Sequence, residues 1–137
     1  MYYLPLALIG APVVLFGALR LRALRREHSE PGPPAPEFSD LLAAEQTGQP
    51  RYLFYFFTPR CFPCRRLAPR VDRLAAACAG IIKVDASIAP EVAERFGVTE
   101  TPTLVLVEAG RMERFVIGAT AGGELLREFA DAEGLDA

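Results

Sequence analysis

The chain of 137 residues has no tryptophan, a single histidine and only three cysteines. Three cysteines are too few for a secreted disulfide scaffold, and the odd number argues against a fully paired framework. A large excess of charge of one sign is also lacking. The formal net charge is −2, which gives no electrostatic reason to bind nucleic acid. No internal repeat is visible. Residues 1–19 carry no charged side chain at all, and that local absence excludes an ordinary soluble helix, which would need a polar face.

What is present centres on Thr58-Pro59-Arg60-Cys61-Phe62-Pro63-Cys64-Arg65-Arg66. The apolar run Tyr52-Leu53-Phe54-Tyr55-Phe56-Phe57 leads into it, and a helix-compatible run over 67–79 leads out. At such a strand-to-helix junction the first cysteine meets unpaired N–H groups and the positive end of the helix dipole, so Cys61 is favoured as a thiolate. Cys64 follows about one turn later, close enough to close a disulfide. Metal binding is the competitor, but a closed zinc site wants four ligands. Beyond this pair the chain offers only Cys78 and His28, at unsuitable spacing. Redox chemistry without a cofactor or bound metal is the favoured reading.

A helix over the uncharged residues 1–19 would span about 28 Å, close to one hydrocarbon core. Arg20, Arg22, Arg25 and Arg26 follow it at once. A cleaved signal peptide has its positive charge ahead of the apolar run instead, so residues 1–19 read as a transmembrane anchor. Residues 20–36 form a basic flank and a proline-rich, semi-rigid linker, in which His28 is a solvated residue. Residues 37–137 form the globular domain, with eleven basic and fifteen acidic side chains. The arginine bias places this domain on the cytoplasmic side, with a periplasmic or other extracytoplasmic placement as the alternative.

Within the domain, Ser39 or Asp40 could cap a short helix reaching about residue 46. Residues 51–57 read as a strand buried on both faces. Cys64, Leu67, Val71, Leu74 and Cys78 recur at helical spacing, which makes Cys78 a small core residue, and Pro69 should kink that helix. Strands follow over 81–85, 103–107 and 112–117, with a helix over 90–96 between the first two. Gly122-Gly123 precedes a last amphipathic helix over 124–132, with Leu125, Leu126 and Phe129 facing inward. The pattern predicts an α/β domain with a mixed sheet of about four strands and helices on both faces.

These elements resemble the thioredoxin family over residues 52–132. Cys61-Phe62-Pro63-Cys64 is similar to the family's CxPC active site, and Pro69 to its helix-kinking proline. Lys83-Val84-Asp85, Pro90-Glu91 and Phe96-Gly97-Val98 are similar to its middle strand and helix. Thr101-Pro102-Thr103 is similar to its cis-proline loop, and Gly110 and Gly118 to its last-hairpin glycines. Four features depart from the family. Arg60 stands where tryptophan is usual, Phe62 replaces a glycine between the cysteines, Tyr55 occupies the place of a buried aspartate, and the first edge strand is missing. Such departures fit a specialised, membrane-tethered relative.

The resemblance implies thiol–disulfide exchange with protein substrates, the pair being recharged by an upstream thiol reductant. Cys61 is the nucleophile and Cys64 the resolving cysteine. Pro102, if cis, would expose the backbone of Thr101 to an extended substrate segment. Phe62 would contact substrate or shield Cys64. Arg60 would add positive potential beside Cys61, or simply be a solvent-exposed replacement for the tryptophan. Lys83 would assist proton transfer, or pair with Asp85, or end in solvent. Two other readings stay open: a non-catalytic binding module with permanently bridged cysteines, and a maturation factor for cytochrome c or copper proteins.

Overall fold

The computed structural model describes residues 32–135 and, ahead of them, residues 14, 16–18 and 20. The chain divides into two compact units, Met1–Pro31 and Gly32–Ala137. In the first, the five described residues are helical, and the Arg20 guanidinium lies 5.4 Å from the centre of the Phe16 ring. The expected membrane span and His28 fall largely or wholly outside the described residues. Among those described, no helix is long and apolar enough to cross a membrane.

The second unit is built on strand β1 (Arg51–Phe57). It pairs in parallel with β2 (Ile81–Asp85) and antiparallel with β3 (Thr103–Glu108), which in turn pairs antiparallel with β4 (Arg111–Ile117). The order across the sheet is β2-β1-β3-β4. Residues 52–56 of β1 are all buried, because successive side chains alternate between two cores. Leu53 and Tyr55 face the cluster that contains Leu67, Val71 and Leu74 of helix α1 (Phe62–Ala77) and Leu125, Leu126 and Phe129 of the last helix. Tyr52, Phe54 and Phe56 face the opposite cluster, with Val92 and Ala93 of helix α2 (Pro90–Arg95) and with Phe96. The expected mixed sheet of four strands, covered on both faces, is therefore the fold observed.

Helix α1 begins five residues ahead of the run read from the sequence and continues through Pro69. That proline removes only one amide, the donor that the Arg65 carbonyl would otherwise receive. The last helix, α3 (Ala119–Ala132), also starts five residues early, and Gly122 and Gly123 lie inside it, buried. They do not break the helix because they serve close packing: a Cβ on Gly122 would lie 2.6 Å from Leu104 Cδ1 and 3.0 Å from Leu67 Cδ1.

The single helix expected over 39–46 is instead two short 3-10 turns, Ser39–Leu41 and Ala44–Gln46, separated by extended backbone at Leu42 and Ala43. Neither Ser39 nor Asp40 caps a helix. The Ser39 N–H donates to Glu37 Oε1 at 2.9 Å, and Asp40 accepts from Arg95 Nη1 of α2 at 2.8 Å. Phe38, Leu41 and Leu42 pack against the second core, so tertiary anchoring overrides the local helical preference.

Part of the proline-rich segment joins the fold. Pro34 forms an antiparallel bridge with Arg111, the Met112 N–H donates to Pro33 O, and the Ala35 N–H donates to Gly110 O, both at 2.8 Å. These residues lie along β4, and among the described residues no strand pairs with the outer edge of β2.

Candidate active site

β1 carries the chain straight into the redox pair. After Phe57, residues 58–61 turn, with the Cys61 N–H donating to Thr58 O at 3.2 Å, and Cys61 becomes the N-cap of α1. Pro63 suits the start of a helix, where its missing N–H would have no intrahelical partner. Cys61 and Cys64 form a disulfide with their Cα atoms 5.3 Å apart. The Cys64 N–H donates to Cys61 Sγ at 3.2 Å, so an orphan amide of the helix start is aimed at the first sulfur. Cys61 is half-buried, whereas Cys64 is only 4% exposed. The two cysteines thus differ in exposure, the first being the more open to an incoming molecule.

The other residues singled out from the sequence fall around this pair. Thr103 is in register with Phe56, which puts Thr101 and Pro102 at the end of the sheet where β1 enters the active-site turn. The Thr101-Pro102 peptide is cis, and the Gly118 N–H donates to Pro102 O at 2.9 Å. Thr103, fully buried, donates its hydroxyl to Glu100 O at 2.6 Å. Phe62 is 68% exposed, so it stands out into solvent and is no lid over Cys64. Arg60 is exposed. A surface hollow of about 450 Å³ lies beside the turn, lined by Thr58, Pro90, Ala93, Gly97, Val98 and Thr101 among others.

Cys78 is unpaired and half-buried. It is the C-cap of α1, in extended backbone, and packs against the edge of the first core. It therefore lies past the end of the buried helical stripe that the spacing assigned to it.

Lys83 does not pair with Asp85. Its ammonium donates to Asp72 Oδ1 at 2.7 Å, while Asp85 Oδ1 accepts from the Ser87 amide and hydroxyl at 2.9 and 2.6 Å. Asp72 is the residue that sequence reasoning missed. It lies eight positions after Cys64, and Cys64, Ala68 and Asp72 follow one another at four-residue steps along α1. All three border a second cavity of about 230 Å³, with Tyr55, Cys61 and Lys83. Tyr55, at the place of the missing aspartate, is buried and donates its hydroxyl to Cys64 O at 3.0 Å. Burial, assisted by the charge of Asp72, pushes its phenol up to about 12. Among the described residues no group of three histidine, cysteine or acidic side chains is placed to hold a metal ion.

Comparison with known proteins gives a consistent answer. The family profile described as Thioredoxin matches residues 35–131. The chloroplastic thioredoxin M-type of Zea mays is 40% identical over 70 residues, which is 49% of this chain and 42% of that protein. The match therefore spans less than half of the maize protein's length. A thioredoxin of Echinococcus granulosus is 35% identical over 95 residues, covering 68% of this chain and 87% of that protein. The X-ray structure of Fasciola hepatica thioredoxin superposes with a TM-score of 0.51 at 31% identity, over 61% of this chain and 84% of that one.

Proposed function

Since the chain belongs to the thioredoxin family, we propose that it is a thiol–disulfide oxidoreductase that reduces disulfides in protein substrates. The observation that carries this reading is the asymmetry of the Cys61–Cys64 disulfide: one cysteine half-buried at a helix start, its sulfur receiving a backbone N–H, the other 4% exposed. In the reduced state the same amide and the helix dipole favour the Cys61 thiolate. That thiolate attacks a substrate disulfide, forming a mixed disulfide and releasing one substrate thiolate. Cys64 then attacks Cys61 Sγ, the intramolecular disulfide re-forms, and the second substrate sulfur leaves. The substrate gains two electrons and the pair loses two, which an upstream dithiol must return.

Phe62 offers the substrate an exposed apolar surface, and Thr101 offers backbone groups to an extended segment beside Pro102. Arg60 adds positive potential at the mouth of the site. The uncharged stretch 1–19 and the arginines after it support a membrane tether, with the redox domain on the cytoplasmic side.

Reduction of insulin by the chain, with dithiothreitol as donor, tests the activity. Cys61→Ser is expected to abolish it, Cys64→Ser to accumulate mixed disulfides, and Cys78→Ser to leave it largely intact. If Cys78→Ser alone removed activity while the fold was preserved, the redox pair would be misassigned.

A further inference from the structure

Resolution of the mixed disulfide needs the Cys64 thiol to lose a proton, yet Cys64 is buried and the strand position beneath it holds Tyr55. That phenol donates its proton to the Cys64 carbonyl, so it is no base. A carboxylate bordering the same space comes from α1, the helix that carries Cys64. Asp72 borders the 230 Å³ cavity that also touches Cys64, and Lys83 of β2 holds it at 2.7 Å. The cavity is several times the roughly 30 Å³ share of a water molecule in the liquid, and its walls carry polar groups, so it can hold solvent.

We propose that Asp72, held by Lys83, is the proton acceptor for Cys64 during resolution, acting through solvent in this cavity. The proposal rests on the oxidoreductase reading and names the group that drives its second step. The Cys64 proton passes to the Asp72 carboxylate, and the Cys64 thiolate attacks Cys61 Sγ. The Cys61–Cys64 bond forms as the bond from Cys61 to the substrate sulfur breaks. The electron pair leaves on that sulfur, which takes up a proton as Asp72 is deprotonated again. The ionisable groups bordering the cavity are Tyr55 from β1, Lys83 from β2, Arg65 and Asp72 from α1, and the two cysteines. Of these Asp72 is the one carboxylate, and it borders the same cavity as Cys64. It is also more than half exposed, with its side chain 59% accessible, so replacing it removes no core packing.

The two chemical steps separate in a stopped-flow reaction of the reduced full chain, in a Cys78→Ser background, with one equivalent of 5,5′-dithiobis(2-nitrobenzoate). Attack by Cys61 releases the first nitrothiobenzoate, and resolution by Cys64 releases the second. Asp72→Asn is expected to leave the first phase unchanged. It should slow the second at least ~10-fold near neutral pH, below the ~100-fold or more of a directly placed base because solvent intervenes. Its second phase should also rise more steeply with pH, as hydroxide replaces the lost acceptor. Asp72→Glu should restore most of the rate. Lys83→Met, which breaks the same ion pair but keeps the carboxylate, should slow the second phase less than Asp72→Asn. A second phase with wild-type rate and pH profile in Asp72→Asn overturns the proposal, as do equal effects of Asp72→Asn and Lys83→Met, which would mark a merely structural pair. Absence of the first phase in the parent chain would instead overturn the oxidoreductase reading itself.

Discussion

Tyr55 ties the redox pair to the core. It is 3% exposed, and its hydroxyl donates to the Cys64 carbonyl at 3.0 Å. Its phenol is raised from 10.0 to about 12, by burial first and by the charge of Asp72 second. Between those values the folded chain holds a proton that the unfolded chain has released, so this group's contribution to stability falls as pH rises through the window. Below pH ~10 it is fully present. Tyr55→Phe should therefore flatten the loss of stability between pH ~10 and ~12, and cost about 0.5–1.5 kcal/mol below it for the lost hydrogen bond. Urea denaturation of both chains at several pH values checks this; an identical alkaline slope in the two would show that Tyr55 does not titrate as its burial demands. The cysteines at this site were legible in the sequence, because their spacing and the flanking strand and helix signals carry the chemistry locally. Asp72 was not. A charged residue on an exposed helical stripe looks like any solvated side chain until β2 brings Lys83 to it. The same gap explains why Asp85 was one of the readings offered for Lys83, although Ser87 takes its carboxylate.

At the scale of elements, the junction of α1, α3 and β3 depends on a missing side chain. Gly122 is buried where a Cβ would lie 2.6 Å from Leu104 Cδ1 and 3.0 Å from Leu67 Cδ1. Gly123 is crowded by the Arg70 guanidinium, whose Nη1 would lie 3.0 Å from such a Cβ and whose Nη2 donates to Gly123 O at 3.2 Å, while Leu67 Cδ2 would lie at an ordinary contact distance of 3.7 Å. The two neighbours should thus respond differently. Gly122→Val overpacks two core leucines and is expected to destabilise by about 1–3 kcal/mol. Gly123→Ala need only shift a flexible side-chain end, and the roughly 1 kcal/mol gain in helix propensity offsets that. Denaturation midpoints decide between them, and a Gly122→Val chain as stable as the parent would mean the helix can move off the sheet. This packing also shows why the start of α3 was misread. A glycine pair weakens a helix taken alone, and only contact with Leu104 and Leu67 makes it favourable. Strand β1 was read correctly for the complementary reason: burial on both faces leaves an unbroken apolar run, which local sequence displays in full.

Across the whole molecule, the Gly32–Ala137 unit has the expected mixed sheet of four strands with helices on both faces, because hydrophobic periodicity and turn residues set out the strands locally. Its edges were less legible. The pairing of Pro34 with Arg111 depends on two segments far apart in the chain, and prolines carry no strand signal of their own. The proposed membrane tether at residues 1–19 carries an expected orientation with it. Four arginines follow the uncharged residues 1–19 within seven positions. Basic residues close to a span stay on the cytoplasmic side. The linker, the Cys61–Cys64 pair and the unpaired Cys78 should then share the compartment in which thiols are kept reduced. Direct labelling of Cys61 would confuse topology with redox state, since a disulfide does not react with maleimide. The decisive chain carries Ser29→Cys as its one thiol, with all three native cysteines changed to serine. Expressed in a bacterial host and treated as spheroplasts with a membrane-impermeant maleimide, it should label only after lysis. Labelling of intact spheroplasts would place the redox domain outside the cytoplasm. It would then have to draw its electrons across the membrane, since the pair cannot turn over without a dithiol to recharge it.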